Sequence, residues 1–154
     1  MEGFSRFKAV SPLDYRYWDE EIADVFSEGS FIKFKLSVES ALATVLCRRG
    51  MMGEDSLREI RVACAEVTPE EVYDEEKRIG HDIRALANCI QRRISDKAKP
   101  FVHLAATSQD IIDTASALRY WEALQARVIP ELQELESVLI EVAEREAKTA
   151  QIGR

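Results

Sequence analysis

The chain has 154 residues, 46% of them hydrophobic and 32% charged, with a formal net charge of -7 at pH 7. That length suffices for one domain with a sizeable core; the composition is too hydrophobic for a disordered chain and the charge too acidic for a general nucleic-acid binder. No apolar run approaches the roughly 20 residues a membrane-spanning helix needs, and no secretory signal is expected at residues 1–6. Cys47, Cys64 and Cys89 are odd in number, form no C-x-x-C and sit among apolar neighbours. They read as buried reduced thiols of a cytoplasmic protein rather than as disulfides or metal ligands.

In chain order, residues 1–18 form an aperiodic arm rich in aromatics and arginine, followed by a short helix over 19–26. A long helix over 31–49 can gather Ile32, Leu36, Val38, Ala41, Leu42, Val45 and Leu46 on one broad face, with Gly50 suited to its end. A third helix starts near Asp55 or Ser56 and runs to Glu66. Thr68-Pro69-Glu70-Glu71 is a strong helix start, with an N-cap hydroxyl, proline at the first helical position and glutamate at the third. That helix is expected to bend near Gly80 and continue through Ile94. After a polar loop at 95–100, a helix over 108–127 turns Ile111, Ile112, Ala115, Leu118 and Leu124 inward. Pro130 kinks or interrupts it. A charged, Leu-rich helix over 131–149 carries Leu132, Leu135, Leu139 and Val142 as a bundle seam. No strand is expected, so the fold class is all-α.

Three segments carry chemistry. Val102 to Ala115 places His103, Thr107, Ser108, Gln109 and Asp110 at a helix start, where free N–H groups and the positive end of the helix dipole favour a carboxylate or phosphate. His103 can contact the same anion or trade a proton near neutral pH. The plain alternative is an ordinary cap, with Ser108 as N-cap and Asp110 near the favourable dipole end. Gly80-His81-Asp82 holds the only other histidine; read as mid-helix, it is weak by itself and fits a surface histidine. In Ser11 to Trp18, Arg16 flanked by Tyr15 and Tyr17 can grip phosphate while a ring stacks on a base, or the arm can simply pack its aromatics on the domain.

Together these segments resemble the adenylosuccinate lyase family of the fumarase/aspartase superfamily. Pro12 to Tyr17 resembles its P-x-D-x-R-Y segment, Val38 to Ala43 its V-E-x-A-L-A helix, and Glu76 to Ala85 its E-x-x-x-x-H-D-[IV] segment. Val102 to Ala115 resembles V-H-x-G-A-T-S-x-D-I-I-D-T-A, the most specific of these. Ile152-Gly153-Arg154 is similar to the first half of a G-R-T-H motif. One departure is Ala105, where the family usually has glycine; a Cβ there is awkward if the backbone needs positive φ.

The resemblance implies a small helical N-terminal domain over 1–107 and, over 108–154, the start of a helical bundle through which four subunits assemble. It implies active sites built from three subunits, no cofactor or metal, and anti β-elimination of fumarate from adenylosuccinate and from SAICAR, intermediates of purine biosynthesis. Carried over by position, Thr107 and Ser108 bind a succinyl carboxylate, Arg16 and Tyr17 hold the nucleotide, and Gln109 and Asp82 contact the substrate; His81 and His103 are the catalytic candidates, His103 near the phosphate or handling a proton and His81 as acid or binding group. The histidine expected after Gly-Arg and the serine loop that supplies the family's base lie beyond Arg154, so the expectation is an N-terminal piece inactive alone. Two alternatives stay open: a carboxymuconate cycloisomerase-like member of the superfamily, and a non-catalytic helical scaffold.

Overall fold

Most helices of this chain begin at a residue whose side chain satisfies the free N–H groups of the first turn. The structure, a computed structural model, describes residues 15–153. Within them α1 (Glu20–Phe26) is capped by Asp19, whose carboxylate accepts from the Ile22 N–H at 2.9 Å. Ser27 does the same for α2 (Glu28–Arg48), three residues earlier than the apolar pattern predicts. The next helix, α3 (Glu54–Glu66), follows Gly53. Thr68 and Glu71 form the expected capping box at the head of α4 (Pro69–Ile79). The Ser11 to Asp14 part of the arm and Arg154 lie outside the described residues.

The single bent helix expected between Pro69 and Ile94 is instead two helices. Gly80 adopts φ 71°, a left-handed conformation that costs glycine little, and its N–H closes α4 on the Glu76 carbonyl at 2.7 Å. Helix α5 (Asp82–Gln91) then starts afresh, with His81 as its N-cap rather than a mid-helix residue.

Helix α2 is the central element, packed against α3 and α6 (Ser108–Ala123), while α4 packs on α5. The core joins Ile32, Leu36 and Leu46 of α2, Leu57 and Ile60 of α3, Val72 of α4 and Leu86 and Ile90 of α5. Each fully buried aliphatic side chain of this kind contributes about 1.5–3 kcal/mol relative to exposure. The face of α2 differs from the expectation: Ala41 and Val45 are exposed, and Ala43, Lys35 and Glu39 take buried places. Cys64 and Cys89 are buried and Cys47 is partly so, all three as free thiols. Burial pushes the Cys64 thiol up to about 12, helped by the nearby Glu39 charge.

A buried carboxylate ties α4 to α5. Glu75, its side chain 3% exposed, pairs with Arg78 at 2.6 Å, with Arg92, and with the Asn88 amide at 2.7 Å. These partners, Arg78 first, hold its carboxyl down at about 2, against 4.5 in the open chain. A carboxylate depressed in the folded state stabilises above its unfolded value, and that contribution fades as pH falls toward its folded value. Acid titration followed by circular dichroism is therefore expected to show stability falling between about pH 4.5 and 2, and less steeply in Glu75→Gln. Equal slopes would remove Glu75 as the cause.

Helix α6 does not stop at Pro130. Leu124–Val128 forms a π-helical turn, the Ile129 N–H bonding to the Leu124 carbonyl, and α7 (Ile129–Glu146) continues directly. The wider turn lets the chain pass a residue that has no N–H and crowds the carbonyl four positions back. Arg127 of this turn reaches Asp19 and Glu21 across to α1, and Glu131 at 3.0 Å. The inward face of α6 is narrower than predicted: Ile111, Ala115 and Ala123 are buried, whereas Leu118 and Leu124 are exposed. The seam residues Leu132, Leu135, Leu139 and Val142 are exposed too, since no described element packs on them. Among the described residues, no helix is long and apolar enough to cross a membrane, and no group of three His, Cys, Asp or Glu is placed to hold a metal ion.

Candidate active site

Two charged residues one turn apart on the buried face of α2 organise the site. Lys35 is buried; its Nζ lies 4.3 Å from the centre of the Phe31 ring and 3.5 Å from Asp82 Oδ2. Phe31 carries a second cation, the Arg119 guanidinium of α6, at 3.9 Å. Glu39 is 2% exposed and lies 2.7 Å from His103 Nδ1. One helix face thus reaches both candidate histidine segments, Asp82 beside His81 through Lys35 and His103 through Glu39.

At the head of α5, the His81 N-cap uses Nδ1 to accept the Arg84 N–H at 3.3 Å. An Nδ1 that accepts carries no proton, so the ring proton sits on Nε2. The 3.6 Å approach of His81 Nδ1 to Asp82 Oδ1 is therefore no ion pair in this arrangement. Asp82 instead takes the Ile83 N–H at 2.6 Å and faces Lys35. The His81 side chain is 54% exposed, open to a ligand.

The segment leading into α6 is held by its ends. Val102 is buried and Leu104 packs against the core, while His103 at φ 59° and Ala105 at φ 61° both adopt the left-handed region. For residues with a Cβ this costs about 1–2 kcal/mol each. Glycine at 105, as in the resembled motif, removes that cost, and Ala105→Gly is expected to stabilise the chain by about 0.5–1 kcal/mol. A urea midpoint that stays put or falls would contradict this account of the turn.

Thr107, not Ser108, is the N-cap of α6: its N–H donates to the Asp110 carboxylate at 2.9 Å, and the Asp110 N–H returns to the Thr107 carbonyl at 3.1 Å. Ser108 is thereby released from capping. Its hydroxyl makes no hydrogen bond to a described residue and, with the N–H groups of Ser108 and Gln109, stands at the positive end of the helix. The Gln109 amide is tied to Asp113 at 2.6 Å.

The arm lies beside α1. Arg16 lies over the Tyr15 ring at 5.7 Å, and Tyr17 with Trp18, Ile22 and Phe26 lines an apolar cavity of about 440 Å³ beside α1. Among the described residues, neither side chain hydrogen-bonds to the groups around His81 or His103.

A family model described simply as lyase matches residues 13–154. The chain belongs to that lyase family. Among curated proteins, this lyase chain is 42% identical over 148 residues to the adenylosuccinate lyase of Pyrococcus abyssi, covering 95% of the chain and 32% of the relative. It is 37% identical over 145 residues to that of Archaeoglobus fulgidus, covering 94% and 32%. Of solved structures, a fumarate lyase from Mesorhizobium sp. BNC1 is 29% identical with a TM-score of 0.79, over 88% of this chain and 32% of that one. A 3-carboxy-cis,cis-muconate lactonizing enzyme from Pseudomonas putida gives 25% and 0.81, over 92% and 33%. The chain spans about a third of the length of the curated relatives it matches.

Lys35 and Glu39 are absent from the sequence-derived candidates. Their signal was two charges at i and i+4 between Ile32, Leu36 and Ala43, where a purely structural helix would carry apolar residues.

Proposed function

We propose that this chain supplies one wall of an adenylosuccinate lyase active site. In that reaction a proton leaves the carbon next to a succinyl carboxylate. The C–N bond breaks with its electrons passing to nitrogen, which takes up a proton, and fumarate departs. AMP is left from adenylosuccinate and AICAR from SAICAR. The carbanion-like charge gathers on the carboxylate, so the work required is preorganised donors there and a proton source at nitrogen. Thr107, Ser108 and Gln109 at the start of α6 fit the first task; Arg16 and Tyr17 are assigned to the nucleotide. His81, its side chain 54% exposed and Asp82 beside it, fits a donor, and His103 completes the anion side.

The observation that carries this reading is the Val102–Ala115 segment: left-handed residues at His103 and Ala105 lead into the start of α6, where the Ser108 hydroxyl makes no hydrogen bond to a described residue. The identities to two archaeal adenylosuccinate lyases support it over the muconate-type reading, which has the weaker identity. No described residue is assigned as the general base. A division at residue 107/108, a cytoplasmic location and a homotetramer that covers the α7 seam belong to the same proposal, as does inactivity of the 154-residue chain alone.

The test is transplantation. Residues 1–154 replace the matching third of the Pyrococcus abyssi enzyme, and fumarate release from adenylosuccinate is followed. Turnover by the hybrid, with none from the isolated chain, is the expected result. A folded tetrameric hybrid inert toward adenylosuccinate and SAICAR would overturn the reading, and turnover by the chain alone would overturn its dependence on other parts.

A further inference from the structure

Glu39 is a carboxylate in the wrong surroundings for comfort. It lies in the apolar face of α2, pairs with no lysine or arginine among the described residues, and faces the Cys64 thiol and the His103 ring. Burial holds its carboxyl above the usual carboxylate range, although the contact with His103 pulls part of the way back. Opposite it, His103 occupies a left-handed backbone conformation that brings its ring in. Two unfavourable placements, a buried acid and a strained residue, meet at one 2.7 Å hydrogen bond. Such a pair persists where the surroundings hold it in place, and it fixes which ring nitrogen carries the proton.

We propose that Glu39 is the positioning residue of His103: its carboxylate accepts the Nδ1–H hydrogen bond, sets the ring's orientation and tautomer, and leaves Nε2 as the nitrogen that meets the substrate. The His103 side chain keeps 23% of its surface exposed, so the uncommitted side of the ring has access to a ligand. His81 is the internal contrast. Its Nδ1 accepts from the Arg84 backbone, so its Nε2 bears the proton. With both rings neutral, the two histidines of the chain offer opposite faces to a ligand, a lone pair at His103 and a donor at His81. The substrate side of this inference rests on the lyase reading; the two tautomers do not.

The chain contains only these two histidines, so nitrogen-15 NMR of the labelled 154-residue protein resolves both rings, with His81→Gln giving the assignment. The expected result is a proton on Nδ1 of His103, in either charge state of the ring, and on Nε2 of His81. A His103 ring protonated on Nε2 alone would overturn the proposal. Glu39→Gln keeps the shape and presents an amide that can donate, so the His103 proton is expected to move to Nε2 with helicity unchanged. A folded Glu39→Leu chain, in which no acceptor remains, that keeps the His103 proton on Nδ1 alone would overturn it equally. Should that variant lose its helical signal, the wild-type spectrum decides. In the hybrid enzyme Glu39→Gln is expected to lower kcat at least about tenfold, as a misassigned tautomer does elsewhere, with partial recovery in Glu39→Asp. A hybrid with the wild-type chain that has no turnover fails the lyase reading, while the tautomer result stands or falls separately.

Discussion

Leu86→Ala is expected to cost about 2–5 kcal/mol of folding stability. The side chain is 0% exposed at the centre of α5, in the cluster formed with α2, α3 and α4. Its neighbours Ala85 and Ala87 are buried as well and are already small, so nothing adjacent on the helix can move in to fill the void. The lost transfer energy is then joined by an unrelieved cavity. The matching substitution on α7, Leu135→Ala, removes the same atoms from a side chain that is 53% exposed and is expected to stay within about 0.5 kcal/mol in the 154-residue chain. Urea unfolding of both variants checks the pair. Similar midpoints would mean that Leu86 is less enclosed, or Leu135 more so, than the packing described above.

Ser108→Ala is expected to lower kcat/KM of the hybrid enzyme by about 10²–10³ fold, the usual loss when one donor to a developing oxyanion is removed. The folded chain should hardly notice. Thr107 is the N-cap and Asp110 returns the hydrogen bond, so Ser108 sits inside the first turn with its hydroxyl unengaged by described residues. A cap would show the reverse behaviour, with stability lost by about 1 kcal/mol and rate little affected. Thermal unfolding and fumarate release measured on the same variant separate the two. A destabilised variant of normal rate would return this segment to the role of an ordinary helix start.

The helices were legible because their signals are local. Thr68-Pro69-Glu70-Glu71 and Asp19 announce starts, and the apolar spacing of α2 and α3 is sustained over several turns. The break at Gly80 was missed because apolar periodicity runs on through it: Ile79 and Ile83 are four apart, and only the backbone shows that the glycine has turned left-handed. The α7 seam is an apolar stripe in the sequence and stays exposed in the fold; a stripe states only that a partner is wanted, not where that partner lies. The site followed the same division. His103, Thr107 and Ser108 are adjacent in sequence and could be read together, as could His81 and Asp82. What joins the two groups is α2, 47 positions from Asp82 and 64 from His103 at the contacts, and its contribution consists of charges that a helical pattern assigns to solvent.

The π-helical turn at Leu124–Val128 also sets the geometry of everything after it. A turn that closes on the fifth residue back rather than the fourth shifts the phase of the following helix by about one residue, or ~100° of rotation about its axis. Counted at about 100° per residue, the Ile111–Ala115 stripe of α6, spent on the chain's own core, and the Leu132–Leu139 stripe of α7 are already about 100° apart in an unbroken helix, and the turn changes that offset by one residue more. One unbroken rod carries two faces aimed in different directions. The turn acts as a coupling between them, so that losing a single residue there would swing the whole outer stripe around while leaving the inner one seated.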